Sequence, residues 1–227
     1  MCKSFWGPLG LCVAIFSLPV AASDLSEVVI TANRVPEPLD AVLAATTVLT
    51  REQIQSRQAR SIEDLLQGVE GLSIGNSGGP GKLTSFFVRG ADADHLLVLV
   101  DGVRIGSATA GTAALQNLPV EMIERIEFVR GPRSSLYGSD AIGGVLQIFT
   151  HRHTGDGFRP EVALTGGSLH TRRGHAALAG GDERAWFRVQ ASAESTRGFD
   201  ACRGSSTQFA GCFTEEPDAD GYRYRSG

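Results

Sequence analysis

The sequence predicts an α+β domain with a small mixed sheet and short helices over residues 39–150, followed by the first antiparallel strands of a transmembrane β-barrel. Three observations lead to this fold class. Two helix-start patterns, at Thr50 and Ser61, lie among strand-like runs that are separated by glycine-rich loops. After Thr150, runs at hairpin spacing show alternating apolar and polar residues. Nothing after residue 22 approaches the run of about 18 apolar residues that a membrane-spanning helix needs.

Residues 1–22 have the pattern of a secretory signal peptide. Lys3 precedes an apolar run that glycine and proline interrupt, and small residues lead to a cleavage point after Ala22. Removal of this segment deletes one charge, so the formal net charge changes from −4 to −5. We therefore expect no binding to nucleic acid. Two of the four cysteines leave with the segment, and the remaining pair, Cys202 and Cys212, is expected to form a disulfide in an oxidising compartment.

Residues 23–38 are expected to form an extended, poorly anchored arm. The stretch SEVVITA, residues 26–32, is β-prone with polar residues on both sides, and NRVPEPLD follows it with two prolines. A free β-prone segment of this kind can add to the edge of a partner's sheet through main-chain hydrogen bonds.

Residues 39–150 contain the elements of the α+β domain. Thr50 stands three residues before Gln53, and Ser61 stands three before Asp64. Both patterns predict capping boxes that open short helices, at REQIQSRQ and IEDLLQGV. Strands are predicted at TSFFVRG, HLLVLVDGVRI, RIEFVRG and GGVLQIFT, with a short helix at EMIERI just before the third. The long loops between these elements suggest that other structure surrounds the domain.

After Thr150, three runs have the alternation of a two-sided strand, namely RPEVALTGG, TRRGHAALAGG and RAWFRVQASAESTRG. The last run has an apolar face of Phe187, Val189, Ala191 and Ala193 and a polar face of Arg188, Gln190, Ser192 and Glu194. Strands of outer-membrane barrels have this pattern, and an amphipathic strand of a soluble sandwich would have it too.

The stretch GNSGGP, residues 75–80, matches the G-x-S-x-G pattern of a serine hydrolase, but its context argues against an enzyme. All five histidines follow Ser77, which excludes the chymotrypsin order of catalytic residues. A nucleophile elbow requires a turn from a strand into a helix, whereas Pro80, Gly81 and the strand-like LTSFFV follow Ser77. We therefore expect a flexible polar loop between two strands and no catalytic residue.

Four motifs, in order along the chain, resemble those of TonB-dependent outer-membrane receptors. The stretch RGPRSSLYGSDAIGGVLQIFT, residues 130–150, is similar to the signature that closes the plug domain of that family. FVRG at 87–90 and VLVDGVRI at 98–105 match two further motifs, and SEVVITA resembles a TonB box, the segment that the inner-membrane protein TonB binds. The resemblance covers residues 26–150. It implies a plug domain inside an outer-membrane β-barrel, and energy-coupled uptake of a small molecule.

The resemblance also implies roles for particular residues. TonB would bind the box residues Glu27, Val28, Val29, Ile30, Thr31 and Ala32. The ligand would meet two plug loops, 76–82 and 104–112, through Asn76, Ser77, Gly78, Gly79, Arg104, Ser107 and Thr112. Four arginines are expected to pair with carboxylates of the barrel wall, because a planar guanidinium suits bidentate contacts: Arg34, Arg89, Arg130 and Arg133.

Within the family, the resemblance is greatest to receptors that transport cobalamin (vitamin B12), and it covers nearly the whole plug. The stretches GFD and DADG resemble calcium-binding extracellular loops of those receptors, which implies calcium ligands at Asp200, Asp218 and Asp220. An acidic loop that faces solvent would have the same composition. A siderophore or haem receptor is the alternative within the family, and a secreted binding module that uses only the plug is the alternative outside it.

Residues 151–227 are too few to form a complete barrel. A plugged barrel has about 22 strands of about 10 residues, which together need roughly 220 residues. This region has 77 residues and is expected to form three strands and to begin a fourth. We therefore expect the sequence to be the N-terminal part of a longer receptor.

Overall fold

The computed structural model describes residues 27–77, 81–107, 111–152, 157–182, 184–198 and 222–226. Up to residue 150, its strands and α-helices are β1 (Val28–Val29), β2 (Glu37–Pro38), β3 (Thr46–Leu49), α1 (Arg51–Arg57), α2 (Ile62–Leu66), β4 (Leu72–Asn76), β5 (Thr84–Val88), β6 (Leu96–Val100), β7 (Val103–Ile105), β8 (Ile123–Arg130), α3 (Ser134–Tyr137) and β9 (Gly144–Thr150). The strands that follow are β10 (Gly157–Gly166), β11 (Arg172–Gly181), β12 (Trp186–Thr196) and β13 (Tyr222–Ser226). Single-turn 3-10 helices lie at Leu39–Ala41, Ala93–His95, Leu115–Asn117, Val120–Met122 and Ser139–Ala141.

A mixed five-stranded sheet forms the centre of the first domain. Its strand order is β3-β8-β9-β6-β7, in which β6 and β9 run parallel and every other neighbouring pair runs antiparallel. Apolar side chains of β8 and β9, such as Phe128 and Ile148, pack with Ile54 of α1 and Leu65 of α2 in one buried cluster. The predicted α+β domain with a small mixed sheet is confirmed.

Hydrogen bonds at their first turns fix where the two predicted helices begin. The Thr50 side chain accepts from the backbone N–H of Gln53, and the Gln53 side chain accepts from that of Thr50, which completes a capping box. The Ser61 hydroxyl likewise accepts from the backbone N–H of Asp64. The Asp64 carboxylate, however, accepts from the backbone N–H of Arg60, the residue before the N-cap, and not from that of Ser61. The helices are short, and in the described part of the chain no helix is long and apolar enough to cross a membrane.

Two predictions about individual segments of the domain have different outcomes: one is confirmed and the other is wrong. Ser77 follows β4 at the tip of an antiparallel hairpin with β5, so the predicted strand–loop–strand context of GNSGGP is confirmed. The helix predicted at EMIERI is wrong. A 3-10 turn ends at Met122, and β8 starts directly at Ile123 because its residues pair with β9.

The strands β10 to β13 form a separate antiparallel sheet whose two faces differ in polarity. The register places Val162 opposite Ala176, and Ala176 opposite Ala191, so apolar residues of three strands share one face. Large exposed side chains of β10–β12 are Phe158, Val162, Leu164, Leu178, Trp186, Phe187 and Val189. From Arg188 to Glu194 the alternate residues of β12 are polar, and the small buried residues Ala177 and Ala179 of β11 lie opposite Gln190 and Arg188 on the same face. The two-sided alternation predicted for this region is confirmed.

Candidate functional site: the docked N-terminal segment

Residues 27–32, here called the docked segment, lie against the central sheet. β1 pairs with β2, and the Leu39 N–H donates to the Glu27 carbonyl oxygen at 2.7 Å. Val29, Thr31 and Ala32 are each only 1% exposed. The expectation of a poorly anchored arm is therefore wrong for these residues, because apolar burial and backbone hydrogen bonds fix them to the domain.

Glu127 of β8 anchors the docked segment through one carboxylate. Its Oε2 accepts from the backbone N–H groups of Ile30 at 3.1 Å and Thr31 at 2.8 Å. The Glu127 side chain is fully buried. Because a buried carboxylate needs an opposite charge and hydrogen-bond donors, the docked segment supplies part of what stabilises Glu127 in the sheet.

Arg125 provides the opposite charge. Its Nη2 lies 2.7 Å from Glu127 Oε1, its Nη1 donates to the Val28 carbonyl oxygen at 3.1 Å, and its guanidinium lies 4.6 Å from the centre of the Phe149 ring. Burial raises the pKa of Glu27, and the charge of Arg125 opposes that shift. The N-terminal end of the segment thus lies in a local network of two carboxylates and one guanidinium.

Tyr137 and Arg34 hold the other end of the docked segment. The Tyr137 hydroxyl donates to the Thr31 carbonyl oxygen at 3.0 Å, and burial raises the pKa of Tyr137, which keeps this donor protonated. Arg34 donates to the Leu136 carbonyl oxygen at 3.2 Å, and its guanidinium lies 4.8 Å from the centre of the Tyr137 ring. Within the described residues, Arg34 therefore contacts α3 of the first domain.

Of the other three predicted wall-contact arginines, Arg89 and Arg130 lie close together in space, and Arg133 follows Arg130 by three residues in the sequence. Arg130 is buried and donates to the carbonyl oxygens of Ala45 at 3.2 Å and Glu70 at 2.8 Å. A Cβ at Gly71 would lie 3.2 Å from Arg130 Cδ and 3.6 Å from Arg89 Cγ, so the two arginine side chains flank this glycine. Arg133 belongs to the turn before α3.

Arg173, which the sequence analysis did not single out, joins β11 to the first domain. It donates to the Arg60 carbonyl oxygen at 2.6 Å, lies 2.7 Å from the Glu194 carboxylate, and lies 3.5 Å from the Glu121 carboxylate. Strand alternation could have revealed it, because Arg173 is directly opposite Glu194, a residue already placed on the polar face.

The two predicted ligand-facing loops contact different parts of the molecule. Asn76 donates to the Thr84 hydroxyl at 2.9 Å, and the Tyr222 ring of β13 lies directly over Gly81, within 3 Å of where a Cβ would be. A cavity of about 750 Å³ between the first domain and β11–β13 begins beside these residues. In the second loop, the Ser107 N–H donates to the Thr112 carbonyl oxygen at 2.9 Å.

Arg104, the first residue of the second predicted loop and part of β7, forms an ion pair with Asp140. Gly78 and Gly79 lie outside the described residues, as do the predicted calcium ligands Asp200, Asp218 and Asp220 and the predicted disulfide of Cys202 and Cys212. Among the described residues, the side chains that could share a metal ion are those of Asp92, Asp94 and His95, and both aspartates are exposed.

These features define a class of protein: an α+β domain packed against antiparallel strands whose outward face is apolar and whose inward face is polar. Residues 38–145 match the family described as TonB-dependent Receptor Plug Domain. The chain therefore belongs to the TonB-dependent receptors, which are outer-membrane proteins, and contains their plug followed by early barrel strands.

Three relatives illustrate the match. The vitamin B12 transporter BtuB of Photobacterium profundum is 42% identical over 195 residues, which cover 86% of this chain and 32% of that protein. The pyoverdine receptor FpvA of Pseudomonas aeruginosa PAO1 superposes with a TM-score of 0.65 at 19% identity, over 76% of this chain and 25% of the receptor. The siderophore receptor PirA of Acinetobacter baumannii gives 0.57 at 24% identity, over 72% and 26%. The chain spans about a third of the length of the curated relative.

Proposed function

We propose that this chain forms the plug and first barrel strands of a receptor that takes up cobalamin across the outer membrane, and that TonB binds the docked segment. The observation that carries the proposal is the docked segment itself. It is a β-prone stretch at the start of the plug, anchored mainly by its backbone: Glu127 binds two of its N–H groups, and Tyr137 binds one of its carbonyl oxygens.

Backbone anchoring suits a segment that changes partners. Strand addition to a partner's sheet uses main-chain hydrogen bonds. The N–H groups that Glu127 binds are groups of the same kind, so one segment can serve as a docked element in one state and as an added strand in another. Val28, which is 42% exposed, offers an accessible apolar side chain beside these donors.

The ligand assignment rests on the vitamin B12 transporter, which is 42% identical to this chain. The siderophore receptors superpose on the chain at only 19% and 24% sequence identity. A structural likeness at that level of identity reflects the shared fold. The proposed ligand is therefore a corrinoid, and the predicted contacts are the loops 76–82 and 104–112.

Binding of TonB is tested with a proline substitution. In outer membranes that contain the protein, Ile30→Pro should abolish retention of the purified C-terminal domain of TonB, because proline removes a main-chain donor and disfavours strand pairing. Leu43→Pro is the control, because Leu43 is fully exposed and lies outside the docked segment. Equal retention of TonB by the unmodified protein and Ile30→Pro would refute the assignment of the segment.

Ligand identity is tested separately in the same membranes. Radiolabelled cyanocobalamin should bind saturably and be displaced by unlabelled cyanocobalamin, while ferripyoverdine should not displace it. Ile30→Pro should leave this binding intact, because the docked segment is separate from both loops. Saturable binding of ferripyoverdine without binding of cyanocobalamin would reassign the receptor to siderophores.

A further inference from the structure

The hairpin of β4 and β5 carries the first predicted ligand loop, residues 76–82, here called the hairpin loop. At the base of the hairpin, Phe86 and Val88 belong to the buried core of the plug. At its upper end the side chains leave the core, and Asn76 and Ser77 are exposed. Core packing therefore fixes the base of the hairpin but not the loop, which needs other contacts to hold one position.

Side-chain hydrogen bonds from the plug hold the β4 end of the hairpin loop. The hydroxyl of Thr84, a residue that is 1% exposed, donates to Glu63 Oε1 at 2.8 Å and accepts from Asn76 Nδ2 at 2.9 Å. Glu63 lies on α2, whose Ile62 and Leu65 are fully buried in the core. This chain of hydrogen bonds thus ties the start of the loop to a fixed helix.

An aromatic ring from the sheet of β10–β13, here called the strand sheet, contacts the other end of the hairpin loop. Tyr222 Cδ2, Cγ and Cε2 lie 2.5, 2.6 and 2.9 Å from the position that a Cβ would take at Gly81. Gly81 has a φ of +78°, which residues with a side chain rarely adopt. The ring therefore packs on the bare backbone of the loop, and only glycine at position 81 allows this contact.

Hydrogen bonds fix the surroundings of Tyr222 in the strand sheet. Tyr222 is directly opposite Thr196 of β12. The Thr196 hydroxyl accepts from the Thr171 hydroxyl at 3.0 Å and donates to the Leu169 carbonyl oxygen at 3.3 Å. Both partners belong to the turn between β10 and β11, so neighbouring strands brace the position from which the ring reaches Gly81.

We propose that Tyr222 is a positioning residue for ligand binding: its ring, packed on Gly81, holds the hairpin loop in the conformation that binds the corrinoid. The proposal rests on the proposed function, which places this loop among the ligand contacts. The hydrogen bond of Asn76 holds one end of the loop, and Tyr222 holds the other. A loop held at both ends loses less conformational freedom when a ligand binds, which increases the affinity.

Affinity is measured with radiolabelled cyanocobalamin in outer membranes that contain the protein. Tyr222→Ala should raise the Kd about tenfold without changing the number of binding sites per receptor, because it frees the loop but keeps the ligand contacts. Tyr222→Phe keeps the ring and should bind like the unmodified protein. Tyr224→Ala is the matched control, because Tyr224 lines the same cavity from the same strand, whereas the atoms nearest to a Cβ at Gly81 belong to Tyr222.

A substitution at Gly81 tests whether the ring and the loop act as a pair. Gly81→Ala places a Cβ against the ring and should weaken binding at least as much as Tyr222→Ala does. In the double variant the Cβ has space, so binding should be tighter than the product of the two single effects predicts. Gly90→Ala controls for backbone strain and should raise the Kd less, because its φ is a similar +81° and nothing lies within 4 Å of the added Cβ. Independent effects of the two substitutions would contradict the pairing.

Cleavage by trypsin after Lys82 reports on the hairpin loop without any ligand. Lys82 follows Gly81 and is half-buried. Trypsin should therefore cut there several times faster in Tyr222→Ala than in the unmodified protein, because the freed loop opens more often. Tyr222→Phe and Tyr224→Ala should be cut at the rate of the unmodified protein, and the masses of the fragments identify the cut.

The two measurements separate this role of Tyr222 from the ligand assignment. Unchanged cleavage after Lys82 in Tyr222→Ala would overturn the positioning role whatever the Kd, because the ring would then act by direct contact or not at all. Faster cleavage with an unchanged Kd would overturn the role in ligand binding. If the unmodified protein binds no cyanocobalamin, the ligand assignment is wrong, and faster cleavage in Tyr222→Ala would still support Tyr222 as the residue that positions the loop.

Discussion

The carboxylate of Glu127 accepts a hydrogen bond from the backbone N–H of Thr31 at 2.8 Å, across 96 positions of sequence. This contact is buried, and the same oxygen accepts a second bond from Ile30. While these donors are bound to Glu127 they are unavailable to the edge of another sheet. Docking on the plug would therefore compete with the strand addition proposed above, and the strength of the Glu127 contacts would set the balance between the two states.

Substitution of Glu127 should release the docked segment. Glu127→Gln preserves the size of the side chain but removes the charge that strengthens both hydrogen bonds and pairs with Arg125. Release is measured as the rate at which maleimide labels Ala32→Cys, at a position that is 1% exposed, in a background whose other cysteines are serine. Hydrogen bonds to charged groups contribute about 1.5–3 kcal/mol, so we expect this labelling to accelerate at least tenfold. Glu127→Ala should accelerate it further, because it also leaves two N–H groups without an acceptor.

Glu124→Gln is the control for this experiment. Glu124 lies on the same strand, but it is half exposed and pairs with His151 rather than with the segment. Its substitution should leave labelling at the rate of the unmodified protein. Unchanged labelling in Glu127→Gln would show that apolar burial of Val29 and Ala32 suffices for docking, and it would contradict the role given to Glu127.

Substitution of Arg173 should loosen the contact between the strand sheet and the plug. Arg173→Lys keeps the charge but cannot reach the Arg60 carbonyl oxygen, Glu121 and Glu194 together, because an ammonium group lacks the planar fork. We expect the plug to lose about 1–2 kcal/mol of stability, measured as faster cleavage by trypsin in outer membranes. Arg188→Lys, whose ion pair with Glu161 stays within the strand sheet, should change cleavage less. Equal cleavage of both variants would count against Arg173 as the joining residue.

Elements specified by local chemistry could be predicted from the sequence. The Thr50 cap needs only a residue three positions away, and the two faces of β12 follow from strict alternation. The start of β8 could not be predicted in this way. A register irregularity between Ile123 and Arg125 leaves Ile123 and Ile126 both buried, and an apolar spacing of three imitates a helix.

The docked segment was missed for a different reason. Its anchors, Glu127 and Tyr137, lie about a hundred residues away, and no local pattern shows which segment a charge within a strand will meet. A hint was present in RIEFVRG, where one carboxylate interrupts an apolar strand. Such a residue is costly to bury without donors, so its presence in an interior strand of a sheet implies that hydrogen-bond donors from another segment must reach it.

Addition of a methyl group at Gly144 should disrupt the central sheet. A Cβ there would lie 2.5 Å from the Val129 carbonyl oxygen on the neighbouring strand, and backbone in a paired strand cannot move aside. We expect Gly144→Ala to cost about 3 kcal/mol, measured as a lower midpoint of denaturant-induced unfolding. Gly166→Ala is the control, because nothing lies within 4 Å of the added Cβ. Similar midpoints for the two variants would contradict this steric account.

The stability of the junction between plug and strands should depend on pH through His151. Burial lowers the pKa of His151 from its ordinary 6.5, and Arg51 and Arg188 act in the same direction, while Glu124, 2.5 Å from Nδ1, acts against them. Since the folded protein binds a proton less readily than the unfolded chain, stability from this group is present above about pH 6.5 and is lost as the pH falls below it.

Trypsin cleavage between pH 7.5 and 5, normalised to an unfolded substrate at each pH, measures this dependence. Cleavage of the unmodified protein should accelerate as the pH falls, and His151→Gln should flatten the profile because glutamine stays neutral and can still donate to Glu124. His170→Gln, at an exposed turn, should retain the slope of the unmodified protein. If His151→Gln keeps the full slope, another group controls the junction. A slope of opposite sign would mean that the Glu124 carboxylate outweighs burial and that His151 is charged in the folded state.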